Sequence, residues 1–370
     1  MQDPNTITRC SVTNADIEGY RDLGGIAGHA NLASWDATNR LSNVTIWINQ
    51  TYEGYNGTHV PFKNEAAYVG RRTGVPVLVE CEGAAVYNIL DKDLYRRYVV
   101  TRNNQLRLGY EECTTKENTA ALWKFASEYE KYSDVFQVTD MELEGIWTPI
   151  GTSAVPFKGT YNGNHKQIKG LKIADYNTTP SGFFGFARGT MTGLTIIEPS
   201  IYGSHYAGAV VAHMFGTVMD CKVIGGDIVL MPNTVNGRFD NGDKAGALVG
   251  YLAATGNGPD KIINNTVEGV SVKAYRDVAA LVGCANDIKD MSGNTIKNCS
   301  IIVDQITGAY PADDVKDPNI GILIGRLTSS DATNVKNNTY AGSTLARLIK
   351  VAGGTRTEEI DLVEIGSVGK

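Results

Sequence analysis

Short runs in which apolar and polar residues alternate fill the stretch from 136 to 196, each closed within a few positions by Gly, Asn or Pro. Gln167-Ile168-Lys169-Gly170-Leu171-Lys172-Ile173 is typical, and such regularly spaced runs predict an all-β chain. A second kind of run punctuates them: Gly182-Phe183-Phe184-Gly185, Gly208-Ala209-Val210-Val211, Gly246-Ala247-Leu248-Val249-Gly250, Ala280-Leu281-Val282-Gly283 and Gly321-Ile322-Leu323-Ile324-Gly325. These phrases are wholly apolar and do not alternate, so they are expected to run through an interior. Their recurrence at unequal intervals marks a repeat protein with loops of unequal length. Equivalent positions stacked layer on layer give parallel strands that share one side-chain period and so pair in register. One such layer cannot bury its apolar side chains alone, so stability is expected to be collective.

The duplication extends further. A constant shift of 255 residues places Tyr20-Arg21-Asp22 on Tyr275-Arg276-Asp277, Gly28 on Gly283, Asn43 on Asn298, Ile46 on Ile301 and Gly70-Arg71 on Gly325-Arg326. This predicts two tandem modules: residues 1–112 as the second half of a first module, 113–133 as a linker, and 134–370 as a second, complete module. The start of the chain then falls in mid-module. An open strand edge there, over 6–12, is expected to associate with another copy or an assembly partner. Val77-Leu78-Val79 and Arg97-Tyr98-Val99-Val100-Thr101 read as strands that finish the first module. Within the linker, residues 118–132 (NTAALWKFASEYEKY) break the β pattern: Leu122, Phe125, Ala126 and Tyr129 recur at helical spacing. Asn118 is placed to act as N-cap, and the helix is expected to cap the second module. The polar insertions 231–244 and 311–319 should leave the layers as exposed loops, and residues 359–365 form an alternating strand able to close the C-terminal edge.

Composition narrows the reading. With 42% hydrophobic and 20% charged residues, the 370-residue chain can bury a large core. A net charge of -6 and the absence of basic runs argue against nucleic acid. No stretch approaches the ~18 apolar residues of a membrane span. Residues 1–10 lack the features of a secretory leader. The six cysteines form no CxxC pair, and Cys10, Cys221 and Cys299 occupy equivalent phrases, which suggests small core side chains rather than disulfides.

The phrases Trp147-Thr148-Pro149-Ile150-Gly151, Pro156-Phe157-Lys158-Gly159-Thr160-Tyr161-Asn162-Gly163-Asn164, Ile168-x-Gly170-Leu171-x-Ile173 and Gly182-Phe183-Phe184-Gly185 resemble the GLUG-repeat family of bacterial surface proteins. The likeness covers residues 134–327 and, through the internal repeat, 5–72. It implies a right-handed parallel β-helix, or β-solenoid, on the outside of a bacterial cell, as in adhesins and the non-catalytic parts of large secreted enzymes. Ala279-Ala280 and Tyr68-Val69 depart from the family's glycines. The family defines no catalytic residue, and none carries over.

Candidate chemistry is sparse. None of the histidines (29, 59, 165, 205, 213) is followed by Glu, so the His-Glu-x-x-His motif of the zinc peptidases that carry such repeats is missing. His205 and His213 read as surface or partly buried neutral side chains. Asp240, Asp243 and Asp260, with Arg238 nearby, could serve a carbohydrate lyase or hydrolase, but solvated turn carboxylates are the simpler expectation. The spacing resembles no complete calcium loop. The outer aromatics Tyr52, Tyr55, Tyr202, Tyr206 and Phe239 suit a sugar- or protein-binding surface. The residues singled out for ligand binding are therefore Tyr52, Tyr55, Tyr202, Tyr206, Arg238, Phe239, Asp240 and Asp243, with no cofactor, metal or catalytic set. The expectation is a non-catalytic exterior scaffold presenting loops to a glycan or protein; a phage spike or fibre on a virion surface and a β-helical carbohydrate enzyme are the alternatives.

Overall fold

The computed structural model describes residues 6–369 except 8, 21–22, 32–33, 36–38, 52–68, 74–83, 102, 175–179, 232, 236–237, 241, 255–257, 259, 305–318 and 352–353. Strands dominate, most of them paired in parallel, and the chain divides into two compact units, Met1–Tyr110 and Glu111–Lys370. The loop 311–318, Tyr52, Tyr55 and the run Val77-Leu78-Val79 lie outside the described residues.

In the second unit the chain visits three parallel sheets in turn. One runs through Thr160–Asn162, Phe184–Thr192 and Val211–Met219. It continues through Val249–Leu252, Val282–Ala285 and Ile324–Leu327. The second joins Gln167–Lys169, Thr195–Ile197, Lys222–Ile224, Thr266–Glu268, Thr295–Lys297 and Thr339–Ala341. The third joins Lys172–Ala174, Ser200–Gly203, Asp227–Leu230, Ser271–Ala274, Ser300–Asp304 and Thr344–Val351. The register is that of the sequence repeat, with Ile168, Ile196, Val223, Val267 and Ile296 in line and fully buried. Each alternating strand turns its apolar positions inward because a one-residue slip would expose all of them.

The bends that separate the sheets have a local cause. Gly193, Asp220, Asn264, Gly293 and Asn337 stand at one corner with φ between 53° and 69°, a conformation that Gly, Asn and Asp tolerate best. After the last three of them stands an asparagine that supports the layer before it. Asn265 Oδ1 accepts from Cys221 N at 3.0 Å, Asn294 Oδ1 from Asn265 N at 3.0 Å, and Asn338 Oδ1 from Asn294 N at 3.1 Å. The backbone amides of Cys221, Asn265 and Asn294 are thereby satisfied. Cys221 and Cys299 point into the core as free thiols.

The apolar phrases do run inside. Phe183, Phe184, Val210, Leu248, Leu281 and Leu323 are fully buried. Their backbones bond layer to layer, from Phe183 N to Ala209 O, Ala209 N to Ala247 O, Ala247 N to Ala280 O and Ala280 N to Ile322 O. The ladder passes through Ala279-Ala280 unbroken, so the loss of glycine there does not alter the turn.

A helix, Thr115–Glu128, covers one end of these layers and is followed by a 3-10 turn, Tyr129–Lys131. It begins earlier than its apolar periodicity indicates. Thr114, not Asn118, is the N-cap, in a capping box with Glu117; Asn118 is buried in the first turn and donates to Cys113 O. Phe125 packs on Phe157 and Tyr161 at ring separations of 6.0 Å, and Trp123 on Trp147 at 4.7 Å. At the other end the closing element is a hairpin: Gly354–Ile360 pairs antiparallel with Thr344–Val351. The strand expected over 359–365 thus ends at Ile360, and the tail beyond it bonds to the last layer, with Ile322 N donating to Val363 O and Leu327 N to Ser367 O.

In the first unit, Ser11–Gly19, Arg40–Asn49 and Ala84–Ile89 pair in parallel, and Tyr98–Thr101 and Gln105–Leu108 follow antiparallel. Leu41, Val44, Ile46 and Ile48 form its core. The 255-residue shift reappears as geometry. Arg9, Asn14 and Asn43 have φ of 55°, 53° and 53°, against 56°, 66° and 53° at Asn264, Gly269 and Asn298. Asn39 Oδ1 accepts from Cys10 N as Asn294 Oδ1 does from Asn265 N.

Candidate functional site

The residues that follow the interior phrases by one position, or by two at His213, stand in register on adjacent strands: Phe186, His213, Tyr251, Cys284 and Arg326, all but the fully buried Cys284 reaching solvent in part. Beside this column runs a second one, Tyr206, Lys244 and Asp277, from segments paired through Ala207, Ala245 and Val278. Missing side chains bring the columns together. A Cβ at Gly250 would stand 2.7 Å from Ala207 N, and one at Gly283 would stand 2.5 Å from Ala245 N. Any other residue there would push Tyr206 and Lys244 away from Tyr251 and Cys284. Lys244 and Asp277 themselves hold positive φ, 66° and 55°, an uncommon conformation for such residues.

His213 is the centre of the aromatic end. Its ring lies 4.8 Å from Phe186, 4.9 Å from Phe215, 4.8 Å from Tyr251 and 5.2 Å from Tyr206. Both ring nitrogens are buried without a hydrogen-bond partner. Burial, helped by His205, Arg188 and Lys244 nearby, pushes the imidazole down to about 4, so it is neutral at pH 7. Lys244 Nζ sits 4.9 Å above Tyr206 and 5.8 Å from Tyr251, and burial pushes the Tyr206 phenol up to about 12. Arg188, exposed, stacks its guanidinium 4.6 Å from the Phe215 ring, an attraction to the ring face.

The charged end is closed. Asp243 is 3% exposed and pairs with Lys244 at 2.5 Å and Arg276 at 3.2 Å. Burial alone would raise its carboxyl, but the two cations hold it below the ordinary range. Asp277, fully buried, pairs with Arg326 at 2.8 Å and accepts from Asn319 at 2.6 Å; burial outweighs these partners and raises it. Cys284 is pushed up to about 11 by burial and neighbouring Asp277, so it remains a thiol.

Two of the residues singled out from sequence, Tyr206 and Asp243, belong to this strip. Asp243 is not the solvated turn carboxylate it resembles, and neither is Asp260, which is 1% exposed and accepts from Gly216 N at 3.0 Å. Tyr202 sits in a strand of the third sheet, half-buried, rather than on an outer loop. Arg238, Phe239 and Asp240 form one arm of a hairpin with Asn233–Val235. The insertion 231–244 is therefore no plain loop, and its last residues enter the strand Asp243–Gly246. The remaining strip residues were missed, although a signal existed: each follows its apolar phrase within two positions, giving Phe, His, Tyr, Cys and Arg in successive repeats. Among the described residues no group of His, Cys, Asp or Glu could hold a metal ion.

No protein-family profile matches the chain. No curated protein matches it either. One solved structure is similar: a Bacteroides ovatus protein provisionally described as an immunoglobulin A1 protease, 13% identical over 73% of this chain and 84% of that one, with a TM-score of 0.43.

Proposed function

We propose that the second unit is a right-handed parallel β-solenoid of the GLUG-repeat kind, serving as a non-catalytic exterior scaffold on a bacterial cell and binding a glycan along its outer strip. The support for the solenoid is the order in which the chain visits the three in-register sheets. The support for glycan binding is the cluster of Phe186, Tyr206, His213, Phe215 and Tyr251, ring against ring on an outward column. Aromatic faces offer sugar rings contact area at little entropy cost. A carbohydrate hydrolase would need two available carboxylates. Asp243 and Asp277 are both buried and held by cations, which favours binding over chemistry. No helix among the described residues is long and apolar enough to cross a membrane.

A glycan array probed with the whole chain and its Tyr251→Ala variant tests this. Losing one platform should cost about tenfold in affinity, since an aromatic contact contributes about 0.5–1.5 kcal/mol. Tyr340→Ala, an exposed tyrosine on the second sheet, should change nothing. A blank array, or a Tyr251→Ala variant that binds as well as the parent, overturns the glycan reading.

A further inference from the structure

Resting on that reading, we infer that the strip selects an acidic saccharide, a uronic-acid-containing chain whose carboxylate is taken by Arg188. The cations of the strip differ in what they already hold. Lys244 and Arg276 share the buried Asp243, and Arg326 is paired with the buried Asp277. Arg188 has no carboxylate or other hydrogen-bond partner among the described residues, and its guanidinium is fixed against Phe215 by stacking alone. A planar cation so placed keeps its forked donors for an incoming group, and a carboxylate is the shape they fit in two parallel hydrogen bonds.

Electrostatics around it agree. Among the described residues the strip carries Arg188, Lys244, Arg276 and Arg326 against Asp243 and Asp277, a positive excess in a chain whose net charge is -6. His213, neutral at pH 7, adds no charge that would compete. Arg188 stands in the same layer as Phe186, one strand from His213 and Phe215 and two from Tyr251. With strands about 4.8 Å apart, these steps approach the length of one pyranose unit, so a ring on the His213 face and a carboxylate on Arg188 lie within one saccharide's reach.

The test is calorimetric binding of oligogalacturonate and of the same oligomer methyl-esterified on its carboxyls, to the whole chain and to the Arg188→Ala, Arg188→Lys, Tyr251→Ala and Tyr340→Ala variants. The acid should bind at least tenfold tighter than the ester, with the gap narrowing at high salt. Arg188→Ala should lose most of that preference. Arg188→Lys should keep part of it, because the charge survives but the fork does not, and Tyr251→Ala should weaken both forms alike. Equal binding of acid and ester, or an Arg188→Ala variant with its preference intact, overturns the inference while leaving glycan binding in place. Failure of the parent chain to bind either form also overturns it, and the glycan reading falls with it only when neutral sugars on the array are blank as well.

Discussion

Each unit stacks an arginine on aromatic rings, and the two arrangements come out differently. In the first unit Arg96, at positive φ, lies 4.8 Å from Trp47, 5.4 Å from Tyr95 and 5.7 Å from Tyr110. It is also tied to Glu18 at 2.7 Å, Asp16 at 3.3 Å and the Tyr110 hydroxyl at 3.0 Å. Glu18 in turn accepts from Asn49 and from the Tyr95 hydroxyl, and Asp16 from the Trp47 indole. Burial would raise the Glu18 carboxyl, but these donors and Arg96 hold it below its ordinary range. In the second unit Arg188 lies at a similar distance from its ring, 4.6 Å, and has the ring alone among the described residues. The geometry of an arginine over an aromatic ring therefore does not by itself mark a site. Which partners the guanidinium has already taken decides whether it is a clasp or an open hand.

If Arg96 is a clasp, Arg96→Ala should destabilise the first unit by about 2–3 kcal/mol, because it leaves the partly buried Glu18 without its cation, loses the bond to the exposed Asp16 and removes the stacking on three rings. Hydrogen exchange at Tyr98–Thr101 and urea unfolding would report it; a loss below about 0.5 kcal/mol would dissolve the contrast with Arg188.

The next effect belongs to His213. An unfolded imidazole titrates near 6.5, whereas this one is pushed down to about 4. Between those values the unfolded chain binds the proton and the folded chain does not, so stability is complete above about 6.5 and falls as pH drops toward 4. The loss should be about 2 kcal/mol, the full displacement being damped by the ring's partial exposure. Asp243, lowered from 3.8, acts in a separate window at lower pH. Thermal melts at pH 7, 5.5 and 4.5 should show the trend, and His213→Phe should flatten it. A parent chain equally stable at all three would mean that the imidazole finds a partner in solution.

The smallest effect sharpens the comparison most. Arg188→Ala should change the stability of the second unit by less than about 0.5 kcal/mol, since it breaks no ion pair. A cost above 1 kcal/mol would reveal a structural partner and place Arg188 with Arg96.

How far the sequence speaks depends on what each residue answers to. The phrases through Phe183, Leu248 and Leu323 announce their burial because nothing but an interior tolerates five such runs. The 255-residue shift picks out Asn43 and Asn298 because a left-handed corner restricts its occupant in either copy. The helix start was misplaced by one turn: the apolar stripe is visible from Leu122, but the cap at Thr114 precedes any apolar periodicity. At the strip, Tyr206 and Asp243 were legible as an aromatic and a carboxylate near a long insertion. The burial of Asp243 was not legible, because Lys244 is its chain neighbour while Arg276 reaches it only from the next layer.

The amino-acid order alone thus determined the layers: alternation sets which side chains turn inward, turn residues set where the chain bends, and repetition sets the register. Only the tertiary structure decided which outward residues meet. Phe186, His213 and Tyr251 are far apart along the chain and are brought side by side by stacking, at a distance fixed by Gly250 and Gly283. Pairing is likewise a three-dimensional fact. Asp277 finds Arg326 and Glu18 finds Arg96 across layers, while Arg188, no different in sequence, finds no carboxylate among the described residues.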